Sequence, residues 1–216
     1  MIPAQIKSSL SAYLKENVHP QIMVESIFLL SGGCINNAVK IETNKGYFFA
    51  KWNENAKDDL FQTEYEGLKS LKEIKAIYIP EIIAFDQNLL ILEFVSTTNP
   101  DDNFWENFGR NLANMHLCQT EQFGLDYDNY IGSLKQLNTK KENWIDFFVQ
   151  NRLLSQLEIG NFSSSIKNDF EKLFDKLPYL IPQEQPSLIH GDLWSGNFIV
   201  KNHSIPVLID PAIYFG

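Results

Sequence analysis

The stretch that most constrains this chain lies near its end, where LIHGDLWSGNFIVKNHSIPVLIDPA combines a polar loop with short apolar runs. Residues 198–200 and 207–209 are apolar and are bounded by turn-forming residues, which predicts two short strands. Asp192, Asn197 and Asp210 would then lie at strand ends, where their side chains can converge on one ligand. We therefore expect the chain to fold around a polar site.

The spacing within this stretch indicates phosphoryl transfer. Four residues separate Asp192 from Asn197, as in the catalytic loop of protein kinases, where a later Asp binds magnesium. In such a loop one carboxylate orients the attacking hydroxyl and takes its proton, while an amide oxygen and a second carboxylate bind the metal. Asp210 is placed for the last role. The alternative is a polar turn that caps two core strands.

Length and charge limit the classes of partner. A chain of 216 residues is long enough for one domain or for two small lobes around a shared cleft. Its net charge of −9 argues against binding to nucleic acid or to an anionic membrane surface, because phosphate backbones are bound by basic patches. ATP remains compatible with this charge, since magnesium and a few local cations can offset its phosphates.

The cysteine count and the N-terminus predict a cytoplasmic protein. Two cysteines do not make a disulfide framework and suit a reducing compartment. The N-terminus lacks the apolar core of a signal peptide, and no apolar run reaches the length of a membrane span.

The N-terminal half predicts a helix at residues 3–16 and then antiparallel strands separated by a glycine loop. Gly32 and Gly33 fall between the first two strands, where paired glycines let backbone N–H groups approach a phosphate. Gly-Gly is also an ordinary turn, and the loop lacks the G-x-G-x-x-G pattern of protein kinases. Cys34, in the same loop, is expected to be an inert thiol, with a redox switch as the alternative.

A possible ion pair links the third strand to the following helix. Lys51 ends the apolar run of that strand, so it should be exposed at an edge or paired inside. In the helix predicted at 57–73, Glu64 is flanked by Phe61 and Leu68 at helical spacing, which allows it to face inward. A Lys–Glu pair that aims the lysine at phosphates is the kinase arrangement. The alternative is two solvated side chains.

Near residue 95 the sequence changes from predicted strands to a polar stretch, which predicts a boundary between two lobes. Two more strands precede it, and the polar, Pro-ended stretch STTNP follows it. Residues 1–95 would form a nucleotide-binding lobe, and residues 96–216 a mostly helical catalytic lobe. The linker, with Glu93 and Val95 as candidates, would offer backbone groups to an adenine ring. Helices are predicted at 103–117, 144–157 and 162–177, with a long connection at 119–139.

The whole chain resembles the fructosamine kinase (ketosamine-3-kinase) family, within the wider group of aminoglycoside and choline phosphotransferases. The motifs that carry the resemblance are, in chain order, SGG, FAK, EYEGL, FGRNLA, YIG, HGDLWSGN and DPAIYFG. The resemblance implies an α+β, two-lobed, protein-kinase-like fold, with an N-terminal antiparallel sheet lobe that carries a helix and a mostly helical C-terminal lobe. The segments DLWSGN and DPA are the specific ones.

The family implies phosphorylation by ATP, with Mg²⁺, of a sugar hydroxyl at O3 of the ketose part of a glycated amine. By position in the motifs, Asp192 resembles the catalytic base, and Asn197 and Asp210 resemble the magnesium ligands. Lys51 resembles the phosphate-binding lysine and Glu64 its partner.

On the acceptor side the resemblance is less specific. Trp194 is a candidate for the ketosamine site, with a buried structural tryptophan as the alternative, and Tyr130 is a second candidate. The acceptor would be a small glycated amine or a glycated lysine, and the sequence leaves the oligomeric state open. Two other functions also remain: a kinase for another hydroxyl acceptor, such as an aminoglycoside, and a non-catalytic nucleotide-binding protein.

One departure from the family concerns the C-terminus. In the family a long helical remainder follows the Asp-Pro-Ala segment, whereas this sequence stops at Gly216. Either this chain is cut from a longer protein or the protein is naturally short. In both cases residues 1–216 alone are expected to show reduced activity or none, and exposed apolar surface.

Overall fold

The structure is a computed structural model that describes residues 2–30, 36–57 and 59–216. Its elements, in chain order, are α1 Ala4–Asn17, β1 Val24–Leu30, β2 Asn37–Thr43, β3 Gly46–Trp52, α2 Leu60–Ile74, β4 Ile82–Phe85, β5 Leu89–Glu93, α3 Phe104–His116, β6 Asn129–Ile131, β7 Leu134–Gln136, α4 Trp144–Phe148, a π-helical segment Val149–Leu154, α5 Ser155–Ile159, α6 Ser164–Phe174, α7 Leu177–Leu180, β8 Leu188–Ile189, β9 Phe198–Lys201, β10 Ile205–Leu208 and β11 Tyr214–Phe215. Among the described residues, no helix combines the length and apolarity that crossing a bilayer requires.

The chain divides into two compact units. The first contains Met1–Leu112 and Asp192–Pro211, and the second contains Ala113–Gly191 and Ala212–Gly216. The boundary expected between residues 95 and 96 separates a nucleotide-binding lobe from a catalytic lobe. This division stays a prediction.

The first unit is built on a five-stranded sheet with the order β1-β2-β3-β5-β4, in which all neighbours are antiparallel. Ala50 and Ile91 face a core that includes Leu10 and Leu14 of α1. Successive residues of a strand point to opposite faces, so Lys51, next to Ala50, points away from α1. The register places Lys51 between Ala38 and Leu90.

α2 lies on the Lys51 side because of its own apolar spacing. Phe61, Leu68 and Leu71 are buried, and Glu64 falls on the same side of the helix as Phe61 and Leu68. The helix ends at Lys75, which adopts a left-handed C-cap with φ 59°. The predicted helix at 57–73 is thus confirmed, with a later start at Leu60.

The β9–β10 hairpin directly follows Asn197, the last residue of the polar loop, and is followed by Asp210. Its turn uses Asn202 and His203 at φ 50° and 66°, a conformation that Asn and His adopt more readily than most residues. At its base, Phe198 packs against Phe104 and Phe108 of α3, with ring centroids 5.9 and 5.0 Å apart. Because Phe198 follows Asn197 directly, these ring contacts anchor the chain next to Asn197.

The second unit contains a hairpin that the sequence analysis missed. β6 and β7 pair within the predicted connection at 119–139. Two buried amide side chains of this hairpin bind the segment that leads into β11. Asn129 Nδ2 donates to the Ile213 carbonyl at 2.8 Å, and Gln136 Nε2 donates to the Ala212 carbonyl at 3.0 Å. Treating the stretch as one long loop was therefore wrong.

The two C-terminal helices also differ from the prediction. The predicted helix at 144–157 is interrupted by the π-helical segment Val149–Leu154. This segment contains Arg152, whose guanidinium lies 4.6 Å from the ring centroid of Phe147 and 4.1 Å from that of Tyr214. The predicted helix at 162–177 is two helices, because Leu177 and Pro178 begin α7.

Candidate active site

The site begins at Lys51, whose side chain links a strand, a helix and the end of a hairpin within the first unit. Its Nζ lies 2.6 Å from Glu64 Oε2 of α2 and 2.9 Å from Asp210 Oδ1, which follows β10. Lys51 is 6% exposed. The expected Lys51–Glu64 pair is therefore present, and the alternative of two solvated side chains is wrong.

Burial and charge set the protonation of this group. Burial lowers the pKa of Lys51, but Asp210 and Glu64 outweigh it and raise that pKa above its usual range, so the ammonium stays charged. Burial raises the pKa of Glu64 to about 7; Lys51 lowers it only in part, and Asp210 raises it further. Glu64 Oε1 is also buried with no hydrogen-bond partner among the described residues. One lysine is thus shared between two acids, of which Asp210 is the more exposed.

Asp210 holds an uncommon backbone conformation, with φ 52°. Asp tolerates this left-handed region better than most residues. Its side chain is 47% exposed although one oxygen binds Lys51. The carboxylate is therefore accessible for further binding.

Asn197 and Asp192 form the second part of the site. Asn197 Nδ2 donates to the Asp192 carbonyl at 2.8 Å and to Asp192 Oδ2 at 3.0 Å. Because the amide nitrogen makes both bonds, Oδ1 is the atom with which Asn197 can bind a cation. The Asn197 carbonyl accepts a bond of 3.1 Å from the amide of Ile209, the residue before Asp210. The two parts of the site are thereby joined through one backbone contact.

Trp194 lies in the loop between these two residues, and its carbonyl accepts a bond of 2.9 Å from the Asn197 amide. The indole lies against Gly196, where an added Cβ would fall 2.4 Å from the ring atom Cζ2. The side chain is 61% exposed, so the alternative of a buried structural tryptophan is wrong. A contact with the acceptor stays a prediction.

The remaining candidates belong to other elements. Glu93 ends β5, and its carboxylate is bound by Tyr78, the Glu81 amide and Lys201. Val95 is buried at 8% exposure. Tyr130 belongs to the second unit, on β6, where it pairs with Lys135. Gly32, Gly33 and Cys34 fall outside the described residues.

The sequence analysis did not single out Tyr78 and Lys201. Lys201 follows three apolar residues at the end of β9, as Lys51 follows an apolar run in β3, and that similarity is the signal which could have identified it. Among the described residues, no group of three or more His, Cys, Asp or Glu side chains is placed to hold a metal.

Comparison with known proteins identifies relatives over most of the chain. The family model for fructosamine kinase matches residues 6–216. A protein assigned as a ketoamine kinase in Synechocystis sp. is 33% identical, over 87% of this chain and 66% of that protein. The chloroplastic protein-ribulosamine 3-kinase of Arabidopsis thaliana is 33% identical, over 89% of this chain and 63% of that protein. The chain thus spans slightly less than two thirds of each of these relatives.

Solved structures agree with this assignment and confirm the expected protein-kinase-like α+β fold. A crystal structure assigned as a fructosamine-3-kinase from Thermobifida fusca is 31% identical, with a TM-score of 0.83, over 96% of this chain and 74% of that one. Another, from Haemophilus somnus, is 26% identical, with a TM-score of 0.85, over 96% of this chain and 72% of that one.

The aminoglycoside phosphotransferase APH(4)-Ia, at 16% identity and a TM-score of 0.63 over 97% of this chain and 73% of its own, shares the fold alone. The family model covers nearly all of the sequence and the Thermobifida structure matches nearly all of the chain. This chain therefore belongs to the fructosamine kinase family.

Proposed function

We propose that this chain is an ATP-dependent kinase that phosphorylates O3 of the ketose part of fructosamine- or ribulosamine-type glycated amines. The observation that carries the proposal is the charge cluster of the first unit, in which Lys51 contacts both Glu64 and Asp210. A sheet lysine held by a helix glutamate is the arrangement that kinases use to position phosphates. Family membership and the names of the relatives support the same reaction.

Mg²⁺ fits the donor atoms that the chain offers. Asn197 contributes an amide oxygen and Asp210 a half-exposed carboxylate, and hard oxygen donors of this kind suit magnesium, which keeps several waters and completes its shell with phosphate oxygens. When bound, the ion would offset phosphate charge that this acidic chain otherwise repels. Asn197 and Asp210 would be the residues that hold it.

Asp192 would act on the acceptor. Its carboxylate orients the acceptor hydroxyl and accepts its proton as the new bond to phosphorus forms, while the bond to the departing nucleotide breaks. Asn197, through its bond to Asp192 Oδ2, holds that carboxylate in place. Trp194, which follows Leu193 in the loop, exposes a flat aromatic ring. An aromatic face of this kind suits the C–H surface of a sugar. Tyr130 is proposed for the acceptor side by family resemblance.

The acceptor class separates this function from its alternatives. The chain, or a longer form that contains it, is incubated with Mg-ATP and with fructosamine, ribulosamine, glycated lysine or aminoglycoside acceptors, and ADP release is measured. Release with ketosamines is expected. Release with aminoglycosides only would favour the alternative kinase, and ATP binding without turnover of any acceptor would favour a non-catalytic protein. A cytoplasmic setting, as the cysteine count predicts, is part of the proposal.

A further inference from the structure

The β9–β10 hairpin is held on both sides by main-chain hydrogen bonds. On one side Leu208 N donates to the Tyr78 carbonyl at 3.0 Å, and on the other Thr98 N donates to the Val200 carbonyl at 2.9 Å. The turn beyond β9 is held as well, since Asp101 N donates to the His203 carbonyl at 2.9 Å and His203 N donates to Thr98 Oγ1 at 2.8 Å. The end of β9 makes a further set of contacts through a side chain. The end in question is Lys201, four residues from Asn197.

Lys201 is fixed by a cluster that we call the Glu93 latch, made of Tyr78, Glu93 and Lys201. The Tyr78 hydroxyl donates to the Glu93 carboxylate, with both oxygens at 2.8 Å, and the Glu81 amide donates to Glu93 Oε2 at 3.2 Å. Lys201 Nζ lies 3.2 Å from Glu93 Oε1 and 3.7 Å from the centroid of the Tyr78 ring. The last residue of β5 is thus joined to the last residue of β9.

The latch is more enclosed than a surface ion pair. The side chains of Lys201 and Glu93 are 24% and 27% exposed, against 68% and 71% for the Arg110–Glu106 pair on α3. Burial raises the pKa of Glu93, but hydrogen bonds from Tyr78, the Glu81 amide and Lys201 outweigh it and hold that pKa below its usual range. The carboxylate is therefore charged at neutral pH, and an ionised acceptor makes stronger hydrogen bonds.

We propose that Glu93 is a positioning residue, which through Lys201 sets the placement of the hairpin that carries Asn197 and Asp210. The inference rests on the proposed function for the roles of those two residues. At about 3.3 Å per strand residue, Lys201 lies roughly 13 Å along β9 from Asn197, so the latch acts through the strand and not by contact with the metal. Glu93 also lies at the linker, so the latch ties the metal-binding hairpin to the edge where the nucleotide base is expected.

The test compares Glu93→Gln and Lys201→Met with the control Arg110→Met, which breaks an exposed pair in the same unit. Tyr78→Phe keeps the ring and the main-chain bonds but removes the hydroxyl donor, and it serves if Lys201→Met fails to fold. Two quantities are measured: hydrogen exchange of the amides in residues 198–210 without ligand, and ATP affinity with and without Mg²⁺.

We expect the latch variants to raise exchange in the hairpin by about tenfold, because a charge-assisted contact that limits local opening is lost. We also expect Mg²⁺-dependent strengthening of ATP binding to fall by about tenfold, while affinity without Mg²⁺ stays within about twofold. Tyr78→Phe should give smaller changes of the same kind, and Arg110→Met none.

Hairpin exchange equal to that of Arg110→Met would overturn the proposal. Faster exchange with an unchanged Mg²⁺ effect would also overturn it, because the latch would then stabilise the fold without placing the metal ligands. A parent chain whose ATP binding ignores Mg²⁺ would overturn the proposed function instead, and with it the positioning role. The exchange data would then still decide whether Glu93 holds the hairpin.

Discussion

Replacing Lys51 by Met should destabilise the protein by an amount that depends on pH. The substitution removes the cation shared by Glu64 and Asp210 and leaves Glu64, whose side chain is 11% exposed, in an apolar setting. A buried acid without its cation avoids ionisation by keeping a proton. The free energy of unfolding of the variant should therefore respond to pH through Glu64.

The sign of this pH dependence follows from the numbers of protons that the folded and unfolded chains bind. A carboxyl whose folded pKa is raised binds a proton in the folded chain that the unfolded chain has released, so stability falls as pH rises between the two pKa values. For the parent, this window runs from the ordinary Glu value of 4.5 to about 7. Lys51 is what lowers the pKa of Glu64, so Lys51→Met extends the window upward. Each added pH unit then removes about 1.4 kcal/mol.

The free-energy cost of Lys51→Met can be bounded from the known cost of breaking buried ion pairs. Losing one member of a buried ion pair typically costs about 3–5 kcal/mol. We expect a smaller cost at about pH 6, where Glu64 is protonated in both chains, and the full cost near pH 9. The stabilisation that the raised pKa of Lys51 provides is fully present below its unfolded value of 10.5, so it does not change across this range.

Urea unfolding at both pH values, with Lys51→Met made alone and in a Glu64→Gln background, measures these costs. A glutamine side chain does not titrate, so in the Glu64→Gln background the cost of Lys51→Met should hardly vary with pH. A cost that is the same at both pH values in both backgrounds would refute the argument, since it would mean that Glu64 is not the group that the lysine protects.

Three other predictions concern the loop at residues 190–197 and the proposed metal ligands. Asp192→Asn should lower kcat by about 10²–10⁴-fold while ATP affinity stays within about twofold, because the proposed base is lost and the proposed metal ligands remain. Initial rates and calorimetry test this, and lost ATP binding would contradict the role. Asp210→Asn should weaken ATP binding about tenfold in the presence of Mg²⁺ and strengthen it or leave it unchanged without the metal, as calorimetry would show. Gly191→Ala should cost more than about 4 kcal/mol in thermal unfolding, because the new Cβ would lie 1.8 Å from the Ala212 carbonyl oxygen. Gly46→Ala, also at positive φ but with no atom within 4 Å of the new Cβ, should cost about 1–3 kcal/mol, and equal losses for the two glycine variants would exclude the clash.

Local sequence patterns were sufficient for most of the elements. β4 and β5 are the two strands predicted just before residue 95, because a short apolar run between turn residues has few alternatives. The placement of Glu64 opposite Lys51 followed from helical spacing around Phe61 and Leu68. These predictions rest on neighbours within one or two helical turns, where sequence is informative.

Contacts between distant residues could not be predicted in this way. Asp210 binds Lys51 across 159 positions, and nothing near either residue indicates the pair. The backbone role predicted for Glu93 at the linker stays a prediction, but no local pattern indicated that its carboxylate is bound by protein groups from two other segments. The β6–β7 hairpin escaped notice because strands of three residues are too short to show alternation.

The π-helical segment Val149–Leu154 places a constraint on chain length. Its i→i+5 bonding holds one residue more per turn than the α pattern of α4 and α5 on either side. Deleting a single residue there would let the three segments merge into one regular α-helix, in which the residues beyond the segment keep nearly the same orientation while those inside it are re-spaced. The guanidinium of Arg152 would be drawn off the rings of Phe147 and Tyr214. Point changes on the outer side of this helix should be tolerated, whereas a shortening by one residue should not.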